Sequence, residues 1–170
     1  MLVGNFARAL FLVHSECLES GYITPRPFRV NAGPLHAYAL APNDRTTYLS
    51  ELRAGQTVLV CDAAGRTRDL VVGRVKIEPR PLILVEAETA DGERHSVILQ
   101  NAETVRLMRG RREEEAEGMG KGVGAGAGGD PARWSVSVSD LRVGDRLLLR
   151  REGGGRHTGM ALADSSGWEV

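Results

Sequence analysis

Short runs of β-branched residues and leucine alternate with turn residues along most of this 170-residue chain. Such runs are typical of strands, and Gly, Pro, Asn and Asp favour the turns that connect them. Turn signals occur as PND at 42–44, DAAGR at 62–66, EPRP at 78–81 and ADGE at 90–93. No segment has a sustained helical period, although one helical turn is expected around 48–53. The pattern predicts a mainly β protein, with strands at 8–16, 35–41, 56–62, 69–78, 81–89, 94–100 and 103–108.

Two segments of the chain repeat each other. LSELRAGQTVLV at 49–60 aligns with VSDLRVGDRLLL at 138–149, and each copy has a glycine, Gly55 or Gly144, before an apolar run. A glycine at the entry to a small barrel supplies a backbone φ that other residues resist. The repeat therefore predicts small β-barrel-like modules and leaves their chemistry open.

A composition shift divides the chain. The run GRREEEAEGMGKGVGAGAGGDPARW at 110–134 is first charged and then almost pure Gly and Ala, so burial cannot offset its ordering entropy. We interpret 109–133 as a Gly-rich flexible insertion. The other predicted units are a strand and loop segment at 1–48 that carries the polar motifs, a β-barrel-like module at 49–108, and a second short β module at 134–170 that packs on the first.

The composition excludes several classes of protein. It is 42% hydrophobic and 26% charged, as is usual for soluble globular proteins. Lys plus Arg equals Asp plus Glu at 22 each, so no overall field favours a nucleic acid or membrane partner. The two cysteines match neither a disulfide framework nor a zinc signature, which favours a cytoplasmic location. The chain begins directly in core-like sequence, and this suggests a fragment or a split gene product.

The stretch LFLVHSE at 10–16 ends in two reactive side chains. His14 and Glu16 are two positions apart, so on a strand they share one face with Cα atoms roughly 6.5–7 Å apart. Such a pair can converge on a ligand, or bind a metal with help from elsewhere. The alternative is a strand end whose polar residues contact solvent.

The stretch ITPRPFRVNAGPLHAYAL at 23–40 is rich in polar residues braced by prolines, namely Arg26, Arg29, Asn31, His36 and Tyr38. Proline on both sides of Arg26 forces an extended path. Arginine prefers carboxylate or phosphate partners, so the two arginines suit an anionic substrate. Surface ion pairing is the alternative.

The predicted strand at 69–78 places Arg74, Lys76 and Glu78 on one face. A charged face on a half-buried strand is usually its solvated side. A lysine flanked by cations can also act as a base or an amine nucleophile. Further polar candidates are Gln100, Asn101, Glu103, Arg156 and His157.

Six ordered blocks carry a family resemblance, namely LVGNFARALFLVHSE, RPFRVNAGPLHAYAL, RTTYLSELRAG, VGRVKIEPRPLILVEAE, VILQNAETVRL and GRHTGM. Together they resemble the carboxy-terminal half of the type II, archaeal-type 3-dehydroquinate synthase family. The resemblance implies an NAD-dependent oxidative deamination and cyclisation of 2-amino-3,7-dideoxy-D-threo-hept-6-ulosonate, a small anionic amino sugar acid. The product would be 3-dehydroquinate, for aromatic amino acid biosynthesis by the shikimate pathway.

The resemblance also implies roles for the polar residues. Arg26 and Arg29 would hold the substrate carboxylate, and His14 or His36 would shuttle protons. Glu16 would orient a partner, and Lys76 is a secondary candidate for base or imine chemistry. The further substrate-binding residues would be Asn31, Tyr38, Asn101, Arg156 and His157.

Three alternatives and departures accompany the resemblance. A similar sister branch makes 3-amino-4-hydroxybenzoate with a divalent metal such as manganese, for which His14, Glu16 and His36 would be ligands, with His157 a further one to test. No Gly-x-Gly-x-x-Gly motif follows a strand here, so NAD-binding residues are not predicted. A separate amino-terminal half would hold much of that cofactor. A noncatalytic β-barrel assembly module of a split enzyme is the alternative from another class.

Overall fold

A computed structural model describes residues 1–17, 29–62, 65–110 and 134–151, and the backbone of 156–157 and 160–161. These residues form antiparallel strands almost throughout, so the prediction of a mainly β protein is confirmed. The strands are β1 (Leu2–Phe6), β2 (Ala9–Leu12), β3 (Tyr38–Ala41), β4 (Arg45–Tyr48), β5 (Thr57–Cys61), β6 (Thr67–Val71), β7 (Leu82–Glu88), β8 (Arg94–Gln100), β9 (Arg106–Met108), β10 (Ser135–Ser137), β11 (Leu149–Arg151), β12 (Arg156–His157) and β13 (Met160–Ala161). The expected helical turn is a 3-10 turn at Leu49–Glu51.

The strands form one larger sheet and four hairpin-like pairs. The five-stranded sheet has the order β11-β2-β1-β3-β4, and the pairs are β5-β6, β7-β8, β9-β10 and β12-β13. Within the described ranges no sheet closes into a barrel, so the predicted β-barrel-like modules are small open sheets. The same ranges contain no helix with the length and apolar character of a membrane span.

The interior strand β2 separates two clusters of apolar side chains. All four of its residues are buried. Successive side chains of a strand point to opposite faces, so Phe11 packs in one cluster, whereas Leu10 and Leu12 pack in the other. Full burial of a Leu or Phe side chain contributes about 1.5–3 kcal/mol. Burial on both faces therefore fixes β2 firmly in the fold.

Residues 134–151 complete sheets that begin much earlier in the chain. Strand β10 pairs with β9, and β11 pairs with β2 through the register Leu149↔Phe11. An isolated bridge joins Arg109 to Leu147. Residues 111–133, which form most of the predicted flexible insertion, lie outside the described residues.

The predicted strand at 69–78 is wrong beyond Val71. Strand β6 ends there, and 72–81 lie outside any helix or strand. The reason is the partner strand: Thr57↔Val71 is the last pair of the β5-β6 ladder, and the chain before Thr57 turns away at Gly55. The face predicted for Arg74, Lys76 and Glu78 therefore belongs to no strand.

The predicted strand at 8–16 is too long, and two strands were not predicted. Strand β2 ends at Leu12, and Val13 only bridges to Leu107. Strands β1 and β4 are four or five residues long and contain polar residues or glycine, so their apolar alternation is weak.

The repeated segments form the same turn. Gly55 has a φ of 90° and Gly144 a φ of 97°. In both 53–56 and 142–145 the last residue of the turn donates its N–H to the first carbonyl, while its side chain accepts the N–H of the first residue. The prediction that these glycines supply an unusual φ is confirmed.

Replacing Gly144 with alanine tests this turn. A Cβ at Gly144 meets no atom within 4 Å, so the whole effect comes from the left-handed φ, which costs an L residue about 1–2 kcal/mol. We expect Gly144→Ala to lower the free energy of unfolding in urea by about 1 kcal/mol. Gly73→Ala is the matched control, because its Cβ is equally free and its φ is not positive. Equal effects of both substitutions would contradict the turn assignment.

Candidate functional site

A cleft of about 1460 Å³ is the candidate site. Two irregular stretches line it, 29–35 and 72–80, together with the ends of neighbouring strands. Its apolar lining includes Leu49, Leu52 and Val58, which also belong to the core. The polar lining consists of Glu16, Arg29, Asn31, Arg74, Lys76, Glu78, Arg80, Gln100 and Thr104. Four of the predicted site residues therefore meet here, namely Glu16, Arg29, Asn31 and Lys76.

Glu16 holds Arg29 in place. Its Oε2 lies 2.7 Å from Arg29 Nε, and Thr104 Oγ1 donates to its Oε1 at 3.0 Å. The Glu16 backbone N–H also donates to the Arg29 carbonyl at 2.7 Å. The Glu16 side chain is 13% exposed and that of Arg29 is 48% exposed, so the carboxylate sits below and the guanidinium reaches outward.

This arrangement leaves the terminal guanidinium nitrogens of Arg29 available. Within the described ranges Nη1 and Nη2 have no partner, because Glu16 engages only Nε. A guanidinium presents its N–H groups as a rigid fork that binds a carboxylate through two parallel hydrogen bonds. Arg29 is thus oriented by one carboxylate and free to bind another.

The stretch that carries Arg29 is pinned to strand β8. Asn31 Nδ2 donates to Gln100 Oε1. Gly33 has a φ of 109°, and a Cβ there would lie 2.6 Å from the Ile98 carbonyl oxygen. Only glycine allows this close approach of the two backbones. The wall of the cleft therefore has a fixed position relative to the sheet.

The opposite stretch carries a second set of charges. Glu78 pairs with Lys76 Nζ at 2.8 Å and with Arg80 Nη2 at 2.9 Å. Hydrogen bonds from these two cations lower the pKa of Glu78 to about 2. Arg74 adds a charge that has no ion-pair partner within the described ranges. Three cations and one carboxylate leave this stretch net positive.

Three other predicted residues are exposed or only partly buried and do not line the cleft. His36 and Asn101 are exposed. The Tyr38 hydroxyl lies 2.6 Å from that of Tyr48, and this hydrogen bond raises the pKa of Tyr38. Arg26 lies outside the described residues, as do the side chains of Arg156 and His157.

His14 is partly buried and is not among the residues that line the cleft. Its Nδ1 atom is buried without a hydrogen-bond partner in the described part of the chain. Burial, and to a smaller extent the charge of Arg106, lowers the pKa of His14 below its ordinary value of 6.5. His14 and Glu16 are two positions apart in sequence, but Val13, which bridges to Leu107, is the last paired residue before them. Of the two, only Glu16 lines the cleft.

The described residues do not fit a metal or a dinucleotide motif. No three His, Cys, Asp or Glu side chains within them could hold a metal ion, so His14, Glu16 and His36 do not form such a group. The sheets are antiparallel, and the described ranges contain no α-helix. A dinucleotide pyrophosphate normally binds at a helix N-terminus after a parallel strand.

Sequence reasoning missed Thr104 and named Gln100 only as a further polar candidate without a role. Thr104 and Gln100 lie about 70 to 90 positions from the side chains they hold, so no local pattern links them. Their one sequence signal is the polar run QNAET that follows strand β8.

Comparisons with known proteins agree with one another. Residues 1–122 match the family model of the 3-dehydroquinate synthase II C-terminal domain. The chain is 49% identical over 165 residues to the 3-dehydroquinate synthase of Methanocaldococcus jannaschii and 48% identical to that of Methanococcus maripaludis. Each alignment covers 97% of this chain and 40% of the relative, so the chain spans about 40% of the length of these proteins. No solved structure matches the chain.

Titration of His14 tests its burial. Because the folded protein disfavours the charged imidazole, the folded state binds this proton less readily than the unfolded state. The free energy of unfolding is therefore unaffected by His14 above pH 6.5. It falls as the pH drops from 6.5 toward the lower pKa that His14 has in the folded protein, because the unfolded state takes up the proton first. We expect the His14 ring to titrate below 6.5 by NMR, and His14→Gln to remove this part of the pH dependence of unfolding. A ring that titrates at or above 6.5 would contradict the burial.

Proposed function

Because the chain belongs to the 3-dehydroquinate synthase II family, we propose that it forms the carboxy-terminal part of an enzyme that makes 3-dehydroquinate. The proposed reaction is the oxidative deamination and cyclisation of 2-amino-3,7-dideoxy-D-threo-hept-6-ulosonate, for aromatic amino acid biosynthesis. The cleft is then one wall of the active site. Free cysteines and the family's biosynthetic role support a cytoplasmic location.

The orientation of Arg29 carries the proposal. The substrate is a small carboxylate, and the cleft presents a guanidinium whose outer nitrogens are free while Glu16 and Thr104 fix its inner side. A cation held in advance binds a carboxylate without first losing side-chain freedom. Among the cleft cations, Arg29 alone is supported by a mostly buried carboxylate that is itself hydrogen-bonded.

The remaining cations suit the oxyanions of the reaction. Ring closure makes an enolate and then an alkoxide, and both need positive or hydrogen-bonding groups. We assign Lys76 and Arg74 to this role, because both line the cleft on its net positive stretch. The lining carboxylates are engaged by cations, Glu16 by Arg29 and Glu78 by Lys76 and Arg80, so neither is a free base. The general base is therefore a group other than these two carboxylates. The proton roles of His14 and His36 remain predictions.

We place the NAD site outside the described residues as well. The described residues do not form a dinucleotide-binding motif. The relatives contain more than twice the aligned length, and we propose that this further part supplies the cofactor site, either in one chain or as a separate partner.

Replacing Arg29 with alanine tests the proposal. The assay uses a chimera, defined as the M. maripaludis 3-dehydroquinate synthase in which the aligned 165-residue region is replaced by this chain. We expect the chimera to form NADH from the amino sugar acid. Loss of a charged hydrogen bond costs about 1.5–3 kcal/mol, so Arg29→Ala should raise KM about 10- to 100-fold.

Arg94→Ala is the matched control. Arg94 lies on strand β8, pairs with Glu88 of β7 and does not line the cleft. Its KM should equal that of the unsubstituted chimera. An unchanged KM in Arg29→Ala would remove Arg29 from carboxylate binding. A folded chimera without NADH formation would overturn the proposed reaction.

A further inference from the structure

Residues 73–80 have the sequence of a strand and no partner strand. Charged and apolar side chains alternate from Arg74 to Glu78, with Val75 and Ile77 between them, which is the period of a half-buried strand. Every residue from 73 to 82 is nevertheless exposed. The alternation therefore gives this stretch one apolar face suited to burial. No described residue covers that face.

The apolar side chains near this stretch form an exposed strip. We define the strip as Val71, Val75, Ile77, Leu82 and Leu84, which runs from the end of β6 to the start of β7. Val71 is 63% exposed, Ile77 61% and Leu84 54%. Monomeric proteins rarely leave several large apolar side chains exposed in one contiguous stretch, and such patches mark sites of interaction.

The backbone beside the strip is equally unsatisfied. Val72 still donates to the Gln56 carbonyl, and Pro81 still accepts from Asn101. Between them, in the described part of the chain, 73–80 make no backbone–backbone hydrogen bond. An open edge of this kind can accept an extended segment from another chain region by β-strand addition. Pro79 and Pro81 lack an N–H, so this pairing would be confined to 73–78.

We infer that the strip and the open edge at 73–78 are the docking surface for the rest of the 3-dehydroquinate synthase chain. The chain spans about 40% of its relatives, so a larger body of protein remains to contact this domain. The surface borders the cleft, and several of its residues also line it. The docked region would therefore close the cleft over the substrate.

The chemistry of the surface favours this occupant over the substrate itself. A small polar anion has no apolar surface to cover Ile77, Leu82 and Leu84, whereas a protein segment has both apolar side chains and backbone groups. This inference rests on the proposed function for the identity of the docked region.

Hydrogen–deuterium exchange tests the surface directly. The amides of 73–78 should exchange freely in this chain alone. In the chimera they should exchange at least about tenfold more slowly, because the docked region covers and pairs them. Equal rates in the two proteins would overturn the inference. Slow exchange in this chain alone, without self-association by sedimentation, would mean that its own residues cover the surface, and would also overturn it.

Two matched variants sharpen the test. Ile77→Asp places a charge in the strip, and Val143→Asp places one at a fully exposed valine that does not line the cleft. In the chimera, Ile77→Asp should restore fast exchange at 73–78, and Val143→Asp should leave the protection unchanged. A second copy of this chain as the occupant would appear as a dimer that Ile77→Asp dissociates, with no protection gained in the chimera, and would contradict the inference.

Exchange and activity separate this inference from the proposed function. Protection at 73–78 in a chimera that forms no NADH would support the surface and overturn the reaction. NADH formation with unprotected 73–78 would support the reaction and overturn the surface. The full-length M. maripaludis relative, measured beside its own aligned region, provides the same comparison at the aligned positions if the chimera does not fold.

Discussion

The burial of strand β2 on both faces is the constraint on which the rest of the structure depends. Its four residues are all buried, and its two edges pair with β1 and β11. Because β2 is held on both faces and both edges, the position of its last residue, Leu12, is fixed in the fold. The segment after β2 therefore starts from a fixed point, and Glu16, four residues after the strand ends, lines the cleft. The site is an extension of the most tightly held element of the fold.

The site itself is built by contacts between distant parts of the chain. Thr104 follows strand β8, Glu16 follows β2, and Arg29 lies on an irregular stretch pinned to β8. Each side chain thus depends on a strand that is fixed by core packing. A mostly buried carboxylate needs compensating partners, and Glu16 obtains them from Thr104 and Arg29. The same contacts that stabilise Glu16 point the free end of Arg29 into the cleft.

The sequence predicted those features that depend on local pattern. Strands β5, β7 and β8 lie within the predicted ranges because their apolar residues are dense, and Gly55 and Gly144 have the predicted φ because the turn is set by four neighbouring residues. The six blocks also identified the family. The sequence pattern alone could not predict which strands pair. The alternation at 72–78 is typical of a strand, but the ladder between β5 and β6 ends at Val71, so 72–78 have no partner strand in the described ranges. His14 and Glu16 were expected to share one face of a strand, but β2 ends at Leu12 and only Glu16 lines the cleft. Thr104 was not found and Gln100 was named without a role, because the role of each arises only from tertiary contact.

The pairing of β11 with β2 has a consequence for folding during translation. Leu10 and its partner Arg150 are about 140 residues apart in sequence, so Leu10 is made well before the strand that pairs with it. Until then one edge of an entirely apolar strand has no neighbour, and an unpaired edge of this kind attracts other chains. Contacts so distant in sequence also slow the search for the native state. The nascent chain is therefore vulnerable to aggregation until β11 is made, and a chaperone that shields strand β2 during that interval would raise the yield of folded protein.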